Sequence, residues 1–126
     1  MTPYEDLLSE YDYLAVEEAK LEQYEGLYSN GCIWIKKDEP ENRKCCLLAE
    51  EIGHYCLTVG DILDQKKIES QKQELKARKW AFEKLLPICN IMFAIEKGYT
   101  TPYDMAEYFN LDEQFVRDCL KYYSFL

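Results

Sequence analysis

The sequence predicts a small α+β fold, mostly helical, with a β-hairpin or small sheet near its N-terminus. Three observations carry that prediction. Apolar residues recur at helical spacing through most of the 126 residues. One strong hairpin signal, Asn30-Gly31, sits between two short runs rich in Tyr, Ile and Trp. Prolines such as Pro3 and Pro87 stand at the edges of the helical stretches, where a missing N–H does least harm.

The elements follow in order. Residues 3–14, "PYEDLLSEYDYL", place Leu7, Tyr11 and Leu14 at helical spacing, with Pro3 in the first turn. The stretch "YEGLYSNGCIWIKKD" reads as the hairpin. "EPENRK" opens a helix that runs to about Leu57. "TVGDILDQKKIES" reads as a loop with one turn at most. Residues 70–86 form a long helix with Ala77, Trp80, Ala81, Leu85 and Ile88 on one stripe, ending near Pro87. Ile88 to Lys97 is a short helix closed by Gly98. Two further helices, about 101–108 and 112–123, flank "FNLDE".

A chain of this length fits one domain with a real core. The formal charge of −9, from 24 acidic and 15 basic side chains, argues against general nucleic-acid binding, which rewards clustered Lys and Arg. It favours partners with a basic surface. The acidic start "MTPYEDLLSEYDYL" lacks the layout of an export signal, and no run reaches the length of a membrane span. The expected location is therefore the cytoplasm, where the six cysteines stay reduced. Cys45, Cys56, Cys89 and Cys119, set among apolar neighbours, are expected to be small buried hydrophobes.

The stretch that bears chemistry is "CCLLAEEIGHYCLTVGDIL", residues 45–63. At about 100° per residue, Cys45, Leu48, Ala49, Ile52 and Cys56 make one apolar stripe, and Glu50 and His54 lie together on roughly the opposite face. Cys46, Leu47 and Leu57 surround that pair, so the helix is apolar nearly all round and is expected to be buried on both sides. A carboxylate and the only histidine of the chain then face each other amid apolar side chains, which demands compensation. One answer is an internal Glu50–His54 hydrogen bond or ion pair. The other is a metal. The stretch has the outline of H-E-x-x-H, with Glu50 at the first ligand position, Glu51 at the general-base position and His54 at the second ligand position. Gly53 costs helix stability and suits close approach of another backbone or a substrate. For a third ligand the candidates downstream are Asp61, Asp64, Glu69 and Glu74. Glu74 lies close to the inward stripe of the long helix, although a solvent-facing glutamate at a helix start reads equally well.

Two blocks together resemble the ImmA/IrrE family of metallo-endopeptidases. "LLAEEIGHYCLTVGDIL" is similar to that family's H-E-x-G-H-Y helix, and "QELKARKWAFEKLLP", residues 73–87, to its E-x-x-A-x-x-F-A-x-x-L-L-x-P helix. The hairpin fits the strand pair before the active helix, and "YDMAEYFNLDEQFVRDCLKYY" fits the helical C-terminal part of many members. The resemblance covers nearly the whole chain and looks like the branch carried by phages and integrative elements, which reads E-E-x-G-H in place of H-E-x-G-H. It implies a zincin-like active-site helix within a single domain over 1–126, with 1–98 as catalytic core and 99–126 as helical extension. It also implies metal ligands at His54 and Glu74, with Glu51 catalytic. Glu50 replaces the first histidine; a carboxylate there is chemically reasonable for Zn2+ and also admits a harder ion such as Mn2+. Two anionic ligands would leave a bound water less acidic than two histidines do. Cys46, one turn before Glu50, is a conceivable thiolate substitute, with core packing as its simpler role.

Members of that family act beside a helix-turn-helix repressor, so the resemblance implies cleavage of such a repressor, in the bacterial host cell, to relieve repression. A second class is a protease-fold protein without chemistry, acting by binding alone as an anti-repressor or toxin–antitoxin partner. A third is an acidic DNA mimic. The tail is not expected to read DNA directly, since residues 101–126 hold five acids against Arg117 and Lys121.

Overall fold

The computed structural model describes residues 2–29, 31–58 and 67–126. Helix α1, Pro3–Glu10, starts on a capping box. The Glu5 amide donates to Thr2 Oγ1 at 3.1 Å and the Thr2 amide to Glu5 Oε1 at 3.0 Å, which settles two amides that a helix start leaves open. Tyr4 and Leu7 are buried from this helix.

The predicted hairpin forms as β2, Gly26–Ser29, and β3, Cys32–Lys36, paired antiparallel with Ser29 opposite Cys32. Gly31 has φ +80°, the conformation that favours glycine in such a turn; Asn30 lies outside the described residues. A third strand, β1 (Ala15–Ala19), is an addition to the prediction, and it pairs parallel to β3 on the other side. The order is β1-β3-β2. The middle strand carries the most β-branched and aromatic residues, "CIWIK", and its alternate positions Ile33 and Ile35 are 0% exposed.

Helix α2, Glu41–Thr58, packs against this sheet and buries Cys45, Cys46, Leu47, Leu48, Ala49 and Ile52. Burial on both sides is what its nearly all-round apolar sequence demands. Helix α3, Lys67–Leu85, begins three residues earlier than expected and buries Ala77, Ala81 and Phe82. Its predicted stripe is only partly right. Trp80 and Leu85 are half-buried, and Leu86 takes the core position, because the helix ends before Pro87 and the turn drops Leu86 inward. Ile88 opens α4, Ile88–Glu96, in a new helical phase and is 49% exposed. Cys56 and Cys89 are also exposed, contrary to expectation, whereas Cys45, Cys46 and Cys119 are buried. Cys56 lies in the last turn of α2, beyond the buried span that ends near Gly53.

Gly98 ends α4 with φ +97°. Helix α5, Pro102–Phe109, is capped by Thr101, and α6, Glu113–Tyr122, by Asp112. One apolar cluster joins Tyr4 and the sheet, through α2 and α3, to Phe115, Val116 and Leu120 of the tail. The architecture is the α+β one, mostly helical with its small sheet at the N-terminus. Among the described residues no helix is long and apolar enough to cross a membrane.

Candidate metal centre

Helices α2 and α3 touch at Gly53 and Ala77. A Cβ on Gly53 would stand 2.8 Å from the Ala77 carbonyl oxygen and 3.1 Å from its Cα. The glycine thus removes the atom that would hold two backbones apart. Either side of the contact, at matching offsets, stand Glu50 and His54 on α2 and Glu74 and Arg78 on α3. They meet in crossed pairs, as on two antiparallel helices. His54 Nε2 lies 2.9 Å from Glu74 Oε1, and Arg78 Nε lies 3.8 Å from Glu50 Oε1.

The titration of these groups follows from the crowding. Burial works against the imidazolium of His54, but the hydrogen bond to Glu74 and the charges of Glu74, Glu51 and Glu50 outweigh it and raise the pKa. Glu74 is lowered, chiefly by its hydrogen bond with His54. Burial raises Glu50, with Glu74 adding to the rise and Arg78, Arg43 and His54 opposing it. Glu51 is pushed up to about 7 by burial, with the charges of Glu74 and Glu50 adding and His54 opposing. Its carboxylate rests against the start of β2, where a Cβ on Gly26 would meet Glu51 Oε2 at 3.0 Å.

Of the predicted site residues, the structure thus brings His54 and Glu74 into direct contact, with Glu51 and Glu50 within electrostatic reach of both. His54 bonds to Glu74, and Glu50 lies beside Arg78. Glu74 is not a wholly solvent-facing helix-start glutamate: its side chain is 62% exposed yet bonded to an imidazole that is only 14% exposed. Asp61, Asp64 and the side chain of Glu69 lie outside the described residues. Cys46 is buried in the core, and burial holds its thiol well above the ordinary value, so it packs and does not serve as a thiolate.

Two residues escaped the sequence reading. Arg78 sits one turn past Glu74, and the spacing E-x-x-x-R of 74 and 78 mirrors the E-x-x-x-H of 50 and 54; that symmetry is the signal that could have found it. Gly26 offered only its place at a strand start. Beside the cluster, aromatic rings follow one another from Tyr28 to Tyr55 (centroids 6.2 Å apart), Tyr13 (6.3 Å), Tyr11 (6.0 Å) and Trp80 (6.2 Å).

The donor set suits a divalent cation in its chemistry. An imidazole nitrogen and a carboxylate oxygen meet at 2.9 Å, and three carboxylates share the neighbourhood of the crossing. As they stand, however, no three His, Cys, Asp or Glu side chains among the described residues form a metal-holding group. Glu50, the candidate for the third position, lies beside Arg78.

Residues 4–121 fit the sequence model of the IrrE N-terminal-like domain, a peptidase family. No curated protein matches the chain.

Proposed function

The chain belongs to the IrrE N-terminal-like peptidase family, and on that premise we propose that it is a metal-dependent endopeptidase whose metal is held by His54 and Glu74, with Glu50 as third ligand. The observation that carries the proposal is the meeting of His54 and Glu74 at 2.9 Å beside a half-buried Glu51. Zn2+ is the expected ion, and the carboxylate-rich set also accepts Mn2+. When bound, such an ion supplies Lewis-acid polarisation of a carbonyl and a more acidic water. Glu51 takes the proton of the attacking water and passes it to the leaving amine nitrogen. The proposed substrate is a helix-turn-helix repressor of the same phage or integrative element, cut in the cytoplasm of the bacterial host to relieve repression. The acidic surface suits a partner with a basic DNA-facing side.

A second reading has one observation in its favour. Glu50 stands in the first ligand position and is matched with an arginine, which suits a protein that keeps the fold and acts on the repressor by binding alone.

Metal content of purified protein, set beside repressor cleavage, separates the two. Near one metal per chain, lost in His54→Ala, is the expected result. Glu51→Gln should then lower cleavage by a factor on the order of 10² to 10⁴ with metal retained, the usual worth of a general base. A protein that takes up no zinc at neutral pH and still relieves repression would leave binding as its function.

A further inference from the structure

We propose that Arg78 is a built-in counter-cation for Glu50, and that it sets how tightly the centre takes up a divalent metal ion. The inference rests on the reading of His54 and Glu74 as metal ligands.

Its basis is geometric. The contact of Gly53 with Ala77 fixes which residues face one another: His54 meets Glu74, and Glu50 meets Arg78. A carboxylate at position 50 adds a negative charge that a neutral imidazole there would not. The guanidinium of Arg78 is placed to offset the charge of Glu50 in a crossing that also holds Glu51 and Glu74. Arg43 also acts on Glu50, but its guanidinium is already held by Glu25 at 3.0 Å and Asp112 at 3.3 Å. That leaves Arg78 as the cation placed to serve Glu50 among the described residues around the crossing.

The same guanidinium has a second effect. A metal ion that recruits Glu50 must draw it from Arg78 and then sit near a fixed positive charge. Arg78 therefore steadies the metal-free site and weakens the metal-bound one. Its side chain is half exposed, so it can swing outward as the ion enters, which keeps the penalty moderate.

The test is metal affinity by competition with a zinc chelator, and again with Mn2+, on wild type, Arg78→Gln, Arg78→Lys, Glu50→Gln and the Glu50→Gln/Arg78→Gln double variant. Arg78→Gln should bind about tenfold tighter at low ionic strength, with the gain shrinking as salt rises. Arg78→Lys, which keeps the charge, should stay close to wild type and serves if the glutamine variant folds poorly. In the Glu50→Gln background the same Arg78→Gln change should lose most of its effect, because the two residues act as a pair. Thermal melts give a readout free of cleavage: Arg78→Gln should melt lower than wild type without metal and gain more on adding zinc.

Equal affinities for wild type and Arg78→Gln, with binding abolished by His54→Ala, would overturn the role of Arg78 and leave the metal centre standing. A gain that persists undiminished in the Glu50→Gln background would also overturn the pairing. Absence of metal binding in every variant would overturn both this inference and the reading beneath it.

Discussion

Helix pair α5–α6, of 8 and 10 residues, and helix pair α2–α3, of 18 and 19, both pack through apolar side chains and end up doing different things. In α5–α6 the helix starts are capped by neighbouring side chains of the same segment. The Asp104 amide donates to Thr101 Oγ1 at 3.0 Å, the Phe115 amide donates to Asp112 Oδ2 at 3.1 Å, and Asn110 takes the left-handed turn between the helices at φ 55°. The inward faces carry Met105, Ala106, Phe115, Val116, Cys119 and Leu120, with no charge among them. The α2–α3 pair is just as closely packed at Gly53 and Ala77, yet it gathers three carboxylates and an imidazole around the contact. Burial raises Glu50 and Glu51, so these charges are costly where they stand. A pair that satisfies itself is scaffold. A pair that concentrates like charge in one place is what the proposed metal centre requires.

The most severe way to break that contrast is Gly53→Ala. Elsewhere in a helix this change gains about 0.5–1 kcal/mol from propensity. Here the new methyl would press on the carbonyl of Ala77, a backbone atom that cannot rotate aside, so the helices must part. The expected net loss is about 1–3 kcal/mol in urea unfolding, the usual range for overpacking. Metal affinity should fall with it, since parting the helices separates His54 from Glu74. A Gly53→Ala protein as stable as wild type would mean that the crossing has slack and does not position the cluster.

The contrast also explains what could be read from the chain. All six helices were legible among the described residues because their ends carry local signals: Pro3 and Pro102 in first turns, Pro87 before α4, Gly98 after it. The hairpin was legible from its turn. Strand β1 was not, because "AVEEA" is short, with two glutamates among its five residues, and its pairing is parallel to a strand that follows β2 in the chain. Strand identity there comes from the neighbour and not from the residues themselves. The approach of His54 to Glu74 was foreshadowed by the resemblance of two separate blocks to one family, whereas spacing alone left Glu74 equally well facing solvent. Arg78 was hidden because, within α3, a glutamate and an arginine four apart look like an ordinary exposed pair. Its actual partner, Glu50, lies on the other helix and becomes visible only when the crossing point is known.

A smaller effect tests the scaffold side. Asp112 caps α6 and also accepts from Arg43 Nη1 of α2 at 3.3 Å. Asp112→Ala should lose about 1 kcal/mol, the typical worth of an N-cap. Asp112→Asn keeps the cap and forfeits only a partly exposed ion pair, so it should stay within about 0.5 kcal/mol of wild type. Both should bind metal as wild type does. An asparagine variant as weak as the alanine one would assign the stability to the link with α2 and not to the cap.

The smallest effect concerns sign. Glu18 on β1 accepts from Lys44 Nζ at 2.7 Å and from the Tyr4 hydroxyl at 2.9 Å, and these bonds, Lys44 first, lower its pKa against the opposing effect of burial. A carboxylate lowered on folding contributes stability that is present above its ordinary value of 4.5 and lost as pH falls through the folded value. Its side chain is about one-third exposed, so the contribution should not exceed about 1 kcal/mol. Glu51 behaves oppositely. Raised from 4.5 to about 7, it makes the metal-free protein less stable as pH climbs through that interval. Urea midpoints of metal-free protein should therefore show two distinct variants. Glu18→Gln should be weaker than wild type near neutral pH and converge with it as pH falls through the lowered value of Glu18. Glu51→Gln should be stronger than wild type near neutral pH and lose that advantage toward about pH 4. If both carboxylates shifted stability in the same direction, the acids at the α2–α3 crossing would be ordinary surface pairs like Glu18, with no unmet charge for an ion to answer.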